Sequence, residues 1–301
     1  MTWRDDARME PATLIDSHTH THPTAASGRA FAGRWGFVSD REGTVEELLR
    51  SMDEAGIART MIVPFMPAQD IVDEAVERGA DRDDATAAVL DEWRALNRWA
   101  AGAVAAHPTR LACLVGLDPV LMSPDDIETD VAARLADGAC GLKVAPNFIR
   151  RAPDDDVMEI VWRLARDHGV FVLSECVAHS TTGDASWAHP QRFDSVLRSY
   201  PTVTVQLAHL GLGAEDEVAR LTARFANVVT DTSLRLVTED PAAIAATIEH
   251  IGTDRVLFGT NYPLVDQVQY ADALRALPLA EAALQQIGHD NAAVLLGDRA
   301  S

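Results

Sequence analysis

The chain has 301 residues, of which 47% are apolar and 24% are charged, a composition typical of globular proteins with a sizeable core. Its 46 acidic residues against 26 basic ones give a formal net charge of −20, which excludes nucleic acid and anionic membrane surfaces as general partners because like charges repel. No apolar run approaches the roughly 20 residues that cross a bilayer, so no membrane partner is expected.

Two features of the sequence predict a cytoplasmic location. The first eleven residues are rich in charge and contain no apolar core of a secretory signal. The three cysteines, Cys113, Cys140 and Cys176, are odd in number and lack CxxC spacing, which favours neither a disulfide framework nor a structural zinc site.

Short β-branched or apolar runs alternate with amphipathic helical patterns along the chain. Eight runs are predicted as strands: 13–16, 59–65, 111–117, 141–145, 170–174, 202–208, 228–231 and 255–258. Thr44 and Glu47 are spaced as a capping box at the start of one helix, and Gly169 is placed as the end of another. Eight strand–helix repeats predict parallel strands that close a (β/α)8 TIM barrel, in one domain over residues 1–301.

An open doubly wound sheet is the second interpretation, and it requires a glycine-rich turn after the first strand. The residues there are instead Asp16-Ser-His-Thr-His-Thr-His, so we expect no nucleotide cofactor. Two connections are long, at 19–44 and 64–109. Connections of this length after barrel strands are typical of lids or dimer contacts on the catalytic face, which makes a homodimer one interpretation.

The end of the first predicted strand carries two histidines. Side chains alternate along a strand, so Asp16, His18 and His20 are predicted to project to one side. Barrel enzymes build their sites at this end of the strands, and imidazole nitrogen is a good ligand for zinc, iron, nickel or manganese. The alternative is a polar loop that happens to contain histidines.

Several segments, taken in order, are similar to those of a known superfamily. They are IDSHTH at 15–20, AAHPTRL at 105–111, GLK at 141–143, YPTVTVQLAHLG at 200–211, DTS at 231–233, LFGTNYP at 257–263 and DNAA at 290–293. Together they resemble the amidohydrolase superfamily, and more closely the amidohydrolase-related branch that includes aminocarboxymuconate-semialdehyde decarboxylase and lactonases. The resemblance implies an amidohydrolase-like barrel, a bound divalent metal and a small-molecule substrate.

Two positions depart from that family pattern. The fifth strand, which usually ends in a metal-binding histidine, ends here at Glu175, and the eighth offers Asn261 where an aspartate is usual. A neutral amide cannot take a proton from water. The resemblance therefore implies a ligand set of His18, His20 and Glu175 with an open position, holding zinc first, with manganese, iron or nickel as alternatives. In the other interpretation, Glu175 fills the space of a lost metal and bonds to His18 or His20.

Three further residues are assigned to the catalytic group. His209 is predicted to face the metal, in phase with Val205 and Leu207, as a proton donor or as a polariser of a substrate oxygen. Asp231 holds His209 in one tautomer or anchors the turn that follows it. Asn261, the altered position on the eighth strand, is the third residue assigned to the catalytic group.

Positive and aromatic residues near the predicted mouth suggest how a substrate is bound. Lys143 and Arg235 follow strand ends and are predicted to bind a carboxylate. Trp35 in the first long connection is predicted to cover the site. His179 and His189 are spare candidates for the missing base.

Three functions compete at this point. The first is a metal-dependent hydrolase of a small carboxylated substrate with an amide, lactone or related bond. The second is a metal-dependent decarboxylase, a carbon–carbon lyase, of an aromatic or muconate-like acid. The neutral side chain of Asn261 argues less strongly against decarboxylation than against hydrolysis. The third is a metal-free binding protein or pseudoenzyme, supported by the two altered ligand positions.

Overall fold

The computed structural model describes residues 13–37, 40–179 and 184–297. The first eleven residues, which are predicted to carry no secretory signal, lie outside the described residues. Eight strands form one parallel sheet in the order β1 to β8. They are β1 Leu14–Thr19, β2 Ile57–Ile62, β3 Leu111–Gly116, β4 Gly141–Val144, β5 Phe171–Ser174, β6 Val205–Leu207, β7 Val228–Asp231 and β8 Val256–Leu257. All eight predicted strands are confirmed, with ends shifted by a few residues.

Backbone hydrogen bonds join the first strand to the last and close the ring. The Ser17 N–H donates to the Phe258 carbonyl over 2.9 Å, and the Asn261 N–H donates to the His18 carbonyl over 2.8 Å. The strand count and this closure confirm the predicted (β/α)8 barrel and exclude the open doubly wound sheet.

Helices cover the outside of the barrel and fill its long connections. They are α1 Ala25–Arg34, α2 Val45–Ala55, α3 Ala68–Glu77, α4 Arg82–Ala106, α5 Pro124–Ala136, α6 Pro146–Ile149, α7 Glu159–His168, α8 Asp194–Ser199, α9 Glu215–Arg224, α10 Pro241–Ile251, α11 Gln267–Arg275, α12 Glu281–Gln285 and α13 Asn291–Leu296. None of the helices in the described ranges is both long and apolar enough to cross a membrane.

The predicted helix ends are confirmed, with one difference. Thr44 caps α2 by accepting the N–H of Glu47, and Gly169 ends α7 with a left-handed φ of 63°. The Glu47 carboxylate does not return to Thr44 as a capping box requires. It accepts the N–H groups of Glu42 and Gly43 and the hydroxyl of Tyr262, because the preceding loop and β8 bring those donors within reach.

Alternation along the strands separates two apolar layers. Residues such as Phe171 and Leu173 pack inside the barrel, whereas Val205 and Leu207 belong to the layer between strands and helices. Glu175 continues the inward series of Phe171 and Leu173 beyond the end of β5. The barrel interior is therefore a packed core whose upper end carries the polar side chains described next.

Candidate active site

A cavity of about 460 Å³ opens at the carboxyl ends of the strands. Five of its polar residues, here called the floor, are His20, Lys143, Glu175, His209 and Asn261. Its apolar part includes Phe37 and several aliphatic side chains, and four of its rings, here called the aromatic wall, are Phe31, Trp35, Phe65 and Phe148. The structure thus brings most of the predicted site residues to one end of the barrel.

The first strand does not keep strict alternation. Its pairing with β2 shifts in register between Asp16 and Thr19. Asp16 points outwards, where it accepts hydrogen bonds from Thr260 and from Gln267 of α11, whereas His18 contacts Asp231 inside. The prediction that Asp16 shares a side with both histidines is wrong, because alternation fails where the register shifts.

Both histidines are oriented by a bond to Nδ1. The Nδ1 atom of His18 lies 3.1 Å from a carboxylate oxygen of Asp231, and that of His20 lies 2.9 Å from the carbonyl oxygen of Val63. Burial lowers the pKa of each imidazole, for His18 in spite of the Asp231 charge. With Nδ1–H donating, the neutral rings present Nε2 lone pairs, and the buried Nε2 of His18 has no partner in the described chain.

Asp231 connects three strand ends. One carboxylate oxygen contacts Nδ1 of His18 and accepts the side-chain amide of Gln206, while the other accepts the backbone N–H groups of His209 and Ser233. Burial raises the pKa of Asp231, but its contact with His18, together with the His209 charge and the Ser233 hydroxyl, outweighs burial and holds that pKa below its ordinary value. Asp231 therefore orients the ring of His18 and anchors the turn that follows β7. Anchoring this turn was one of the two roles offered for Asp231.

The ring of His209 has other partners than the predicted one. Its Nδ1 lies 2.7 Å from the Ser233 hydroxyl, and its Nε2 lies 3.2 Å from Glu175. Asp231 contacts only its backbone. The Ser233 hydroxyl donates to Asp231, so Asp231 is linked to the ring of His209 through this hydroxyl and not directly.

The backbone of His209 explains how the side chain reaches the site. Val205 and Leu207 face the helices, so the phase argument that placed His209 inwards is wrong. His209 and Leu210 instead adopt left-handed φ angles of 64° and 53°, and this turn redirects the imidazole. Such conformations cost roughly 1–2 kcal/mol per non-glycine residue, and the bonds to the His209 backbone offset that cost.

Glu175 lies between two cationic groups. Its carboxylate is 3.2 Å from Nε2 of His209 and 3.6 Å from Nζ of Lys143. Burial raises the pKa of Glu175, but these two charges outweigh it and hold the pKa well below its ordinary value. The Glu175 charge in turn raises the pKa of His209 against the effect of burial. The bond from Glu175 to His18 or His20 that the metal-free interpretation required is not among its contacts in the described chain.

The two predicted carboxylate-binding cations have different surroundings. Lys143 lines the cavity, and burial lowers its pKa although Glu175 opposes the shift. Arg235 does not line the cavity. Its guanidinium contacts Glu215 over 2.7 Å, contacts Glu239, and donates to the His209 carbonyl over 2.9 Å.

The aromatic wall lies on elements outside the strands. Phe31 belongs to α1, Trp35 follows that helix, Phe65 follows β2 and Phe148 belongs to α6. Trp35 thus lines the cavity at the predicted lid position. The other three rings were missed, although the positions of Phe65 and Phe148 just after β2 and β4 were a usable signal.

Several polar residues complete the description. Asn147 and Asn261 line the cavity, and the Oδ1 atom of each is buried without a partner in the described residues. His179 lines the mouth. His189 caps a short helical turn and does not line the cavity.

The donor set fits a divalent metal. His18, His209 and Asp231 offer ligand atoms that all lie within 4.8 Å of one another, a group that shares His18 with the predicted set of His18, His20 and Glu175. The unpartnered Nε2 of His18 is the direct observation in favour of a ligand there. Imidazole and carboxylate donors suit zinc, manganese, iron or nickel.

Comparisons with known proteins agree with this architecture. The amidohydrolase family model matches residues 15–297. A search of proteins with curated functions gives no significant sequence match.

Solved structures show the same fold. A TIM-barrel protein of Bordetella bronchiseptica has a TM-score of 0.73 at 19% identity, over 96% of this chain and 99% of that one. A Polaromonas dihydroxybenzoic acid decarboxylase with bound manganese and the inhibitor 2-nitroresorcinol has a TM-score of 0.69 at 20% identity, over 96% and 99%. A Sphingomonas paucimobilis 5-carboxyvanillate decarboxylase has a TM-score of 0.67 at 18% identity, over 95% and 99%.

Proposed function

Because this chain belongs to the amidohydrolase family, we propose that it is a metal-dependent enzyme of that family, specifically a decarboxylase of a small aromatic carboxylic acid. The observation that carries this choice is the position of Glu175. Among the described residues that line the cavity it is the only carboxylate, and it is paired with both Lys143 and His209.

That pairing makes Glu175 a poor base for hydrolysis. A general base works best with a pKa near the working pH, whereas the charges around Glu175 hold its pKa well below the ordinary value. Hydrolysis of an amide or lactone, the first choice from sequence, needs such a base because Asn261 is neutral. We therefore rank hydrolysis second.

Decarboxylation uses Glu175 as a carboxylate and His209 as a cation, which are the protonation states that their surroundings favour. Lys143 and the neutral Asn261 suit an anionic substrate, since neither adds negative charge at the floor. The carbon–carbon bond to the carboxylate breaks, its electron pair stays on the ring carbon, and carbon dioxide leaves. The Nε2 of His209 donates the proton that replaces the carboxylate, and Glu175 keeps His209 protonated until that step.

The divalent ion is proposed to be held through His18 and Asp231, or through His18 and His20 with Glu175, because a protonated His209 cannot also be a metal ligand. A bound divalent ion would supply Lewis-acid polarisation of a substrate oxygen. Both manganese and zinc are candidates, and manganese is present in the Polaromonas and Novosphingobium decarboxylase structures.

The test measures both reactions on one preparation. Protein loaded with Mn²⁺ or Zn²⁺ is incubated with hydroxylated benzoic and naphthoic acids, including 2,6-dihydroxybenzoate, and with a set of lactones. We expect release of carbon dioxide that a chelator and His209→Gln each abolish. Lactone opening without release of carbon dioxide would reverse the ranking in favour of a hydrolase.

A further inference from the structure

The aromatic wall has two tiers at different distances from the floor. Phe31 and Phe65 form the inner tier, because their ring centroids lie 5.1 and 5.9 Å from that of His20. The Nζ of Lys143 also lies 5.9 Å from the centroid of Phe65. An acid whose carboxylate is bound at the floor therefore places its first ring against this tier.

Trp35 and Phe148 form the outer tier. Their centroids are 5.2 Å apart, and each contacts the inner tier, Trp35 at 6.0 Å from Phe31 and Phe148 at 5.2 Å from Phe65. Within the described chain no ring–ring or cation–π contact joins either ring to a floor residue. A single-ring acid anchored at the floor leaves this outer tier uncovered.

A side-chain amide oxygen without a hydrogen-bond partner within the described ranges belongs to the residue next to Phe148 in the chain. Asn147 precedes Phe148 in α6 and lines the cavity, and its Oδ1 is buried without a partner in the described residues. Its residue is only 2% exposed. A buried amide without a partner is costly unless a ligand completes its hydrogen bonds.

From these contacts we propose that the substrate is a two-part acid: a carboxylate-bearing first ring at the floor, and a second ring or apolar group with a hydrogen-bonding substituent at the outer tier. A cavity of about 460 Å³ lies within the range that encloses ligands larger than one ring. The inference rests on the proposed function and adds the substrate class that the site selects. Trp35, Phe148 and Asn147 are its specificity-determining residues.

The binding affinity of aromatic acids tests the inference separately from their turnover. Dissociation constants of benzoate, 2-naphthoate and 6-hydroxy-2-naphthoate are measured by calorimetry on the full chain, with tryptophan fluorescence as a second signal. We expect 2-naphthoate to bind at least tenfold more tightly than benzoate, and the hydroxyl group to add a further gain. Offset-stacked aromatic contacts and burial of the second ring are the physical source of the difference.

Variants separate the outer tier from general hydrophobic binding. Trp35→Ala and Phe148→Ala should reduce the naphthoate-to-benzoate preference to about threefold or less while benzoate binding stays unchanged. Asn147→Leu should remove only the gain from the hydroxyl group. Trp99→Phe, in α4 and outside the cavity lining, is the matched control and should keep the full preference.

The outcomes distinguish this inference from the proposed reaction. Absence of naphthoate binding, or a preference that persists in both Trp35→Ala and Phe148→Ala, overturns the two-part substrate. If 2-naphthoate binds as expected but no hydroxylated naphthoic acid loses carbon dioxide, the decarboxylase proposal fails and the two-part site remains.

Discussion

The floor and the aromatic wall of the cavity are built in different ways. Floor residues stand near the ends of barrel strands, and several contact a neighbouring strand end, as His209 contacts Glu175. The wall stands on α1, α6 and the segment after β2, and ion pairs on α3 link two of these elements. The proposed reaction chemistry thus lies on the rigid frame, and the proposed substrate selection lies on connections that can change without disturbing the barrel.

The electrostatics of the two regions differ as much as their supports. In the floor, Lys143 is 2% exposed and Glu175 is 17% exposed, so their charges interact with little screening. At the wall, Arg34 pairs with Glu74, and Arg150 pairs with Asp70 and Asp73, with side chains 27–44% exposed. Loss of a buried partner leaves an uncompensated charge, whereas exposed pairs contribute little.

The largest expected effect is that of Glu175→Gln. The change leaves Lys143 and His209 without their counter-charge, so the free energy of unfolding should fall by about 3 kcal/mol. Turnover should fall by about 100-fold or more, since His209 loses the group that keeps it protonated. Urea unfolding and carbon dioxide release measure the two effects.

A surface pair provides the control for that variant. Glu128 pairs with Arg163 at an exposed position, and Glu128→Gln should change stability by less than about 1 kcal/mol. Full turnover in Glu175→Gln would show that Glu175 has a structural role and that His209 is not the proton donor.

Lys143→Met should act mainly on substrate binding. We expect KM for carboxylated substrates to rise about tenfold or more, because a charge-assisted bond to the substrate contributes roughly 1.5–3 kcal/mol. A neutral probe without the carboxylate should bind to the variant as it binds to the wild type. An unchanged KM for the acid would assign the anionic group to another part of the floor.

Arg235→Met should act on kcat and leave KM within about twofold. Arg235 forms ion pairs with Glu215 and Glu239, and it donates a hydrogen bond to the His209 carbonyl in the left-handed turn. We therefore treat it as a positioning residue. We expect kcat to fall about tenfold in the wild-type background and to change little in a His209→Ala background. Equal losses in both backgrounds would indicate general damage to the fold.

The smallest effect is expected at the support of the wall. Arg34→Gln removes one partly exposed ion pair and Arg150→Gln removes two, and each variant should change the free energy of unfolding by less than about 1 kcal/mol. Affinity for two-ring acids should weaken by a few-fold while benzoate binding is kept. Equal losses for one-ring and two-ring probes would show that these pairs support the floor as well.

Much of the frame could be predicted from the sequence. All eight strands can be predicted from short apolar runs, because strand formation depends on side-chain alternation and β-branched residues within a short stretch of the chain. The placement of His18, His20, Lys143 and Glu175 at the catalytic end follows in the same way, since parallel strands all finish at one face.

The pairing of the site residues could not be predicted. Alternation failed at the register shift in β1 and at the left-handed turn of His209, and in both places bonds to distant residues decide the backbone path. Lys143 and Arg235 are both basic residues near predicted strand ends. Lys143 lines the cavity, whereas Arg235 forms ion pairs with Glu215 and Glu239. Strand formation is a local property of the chain. The partner of a buried charge depends on which groups folding brings together from far apart in sequence, so only the tertiary structure decides it.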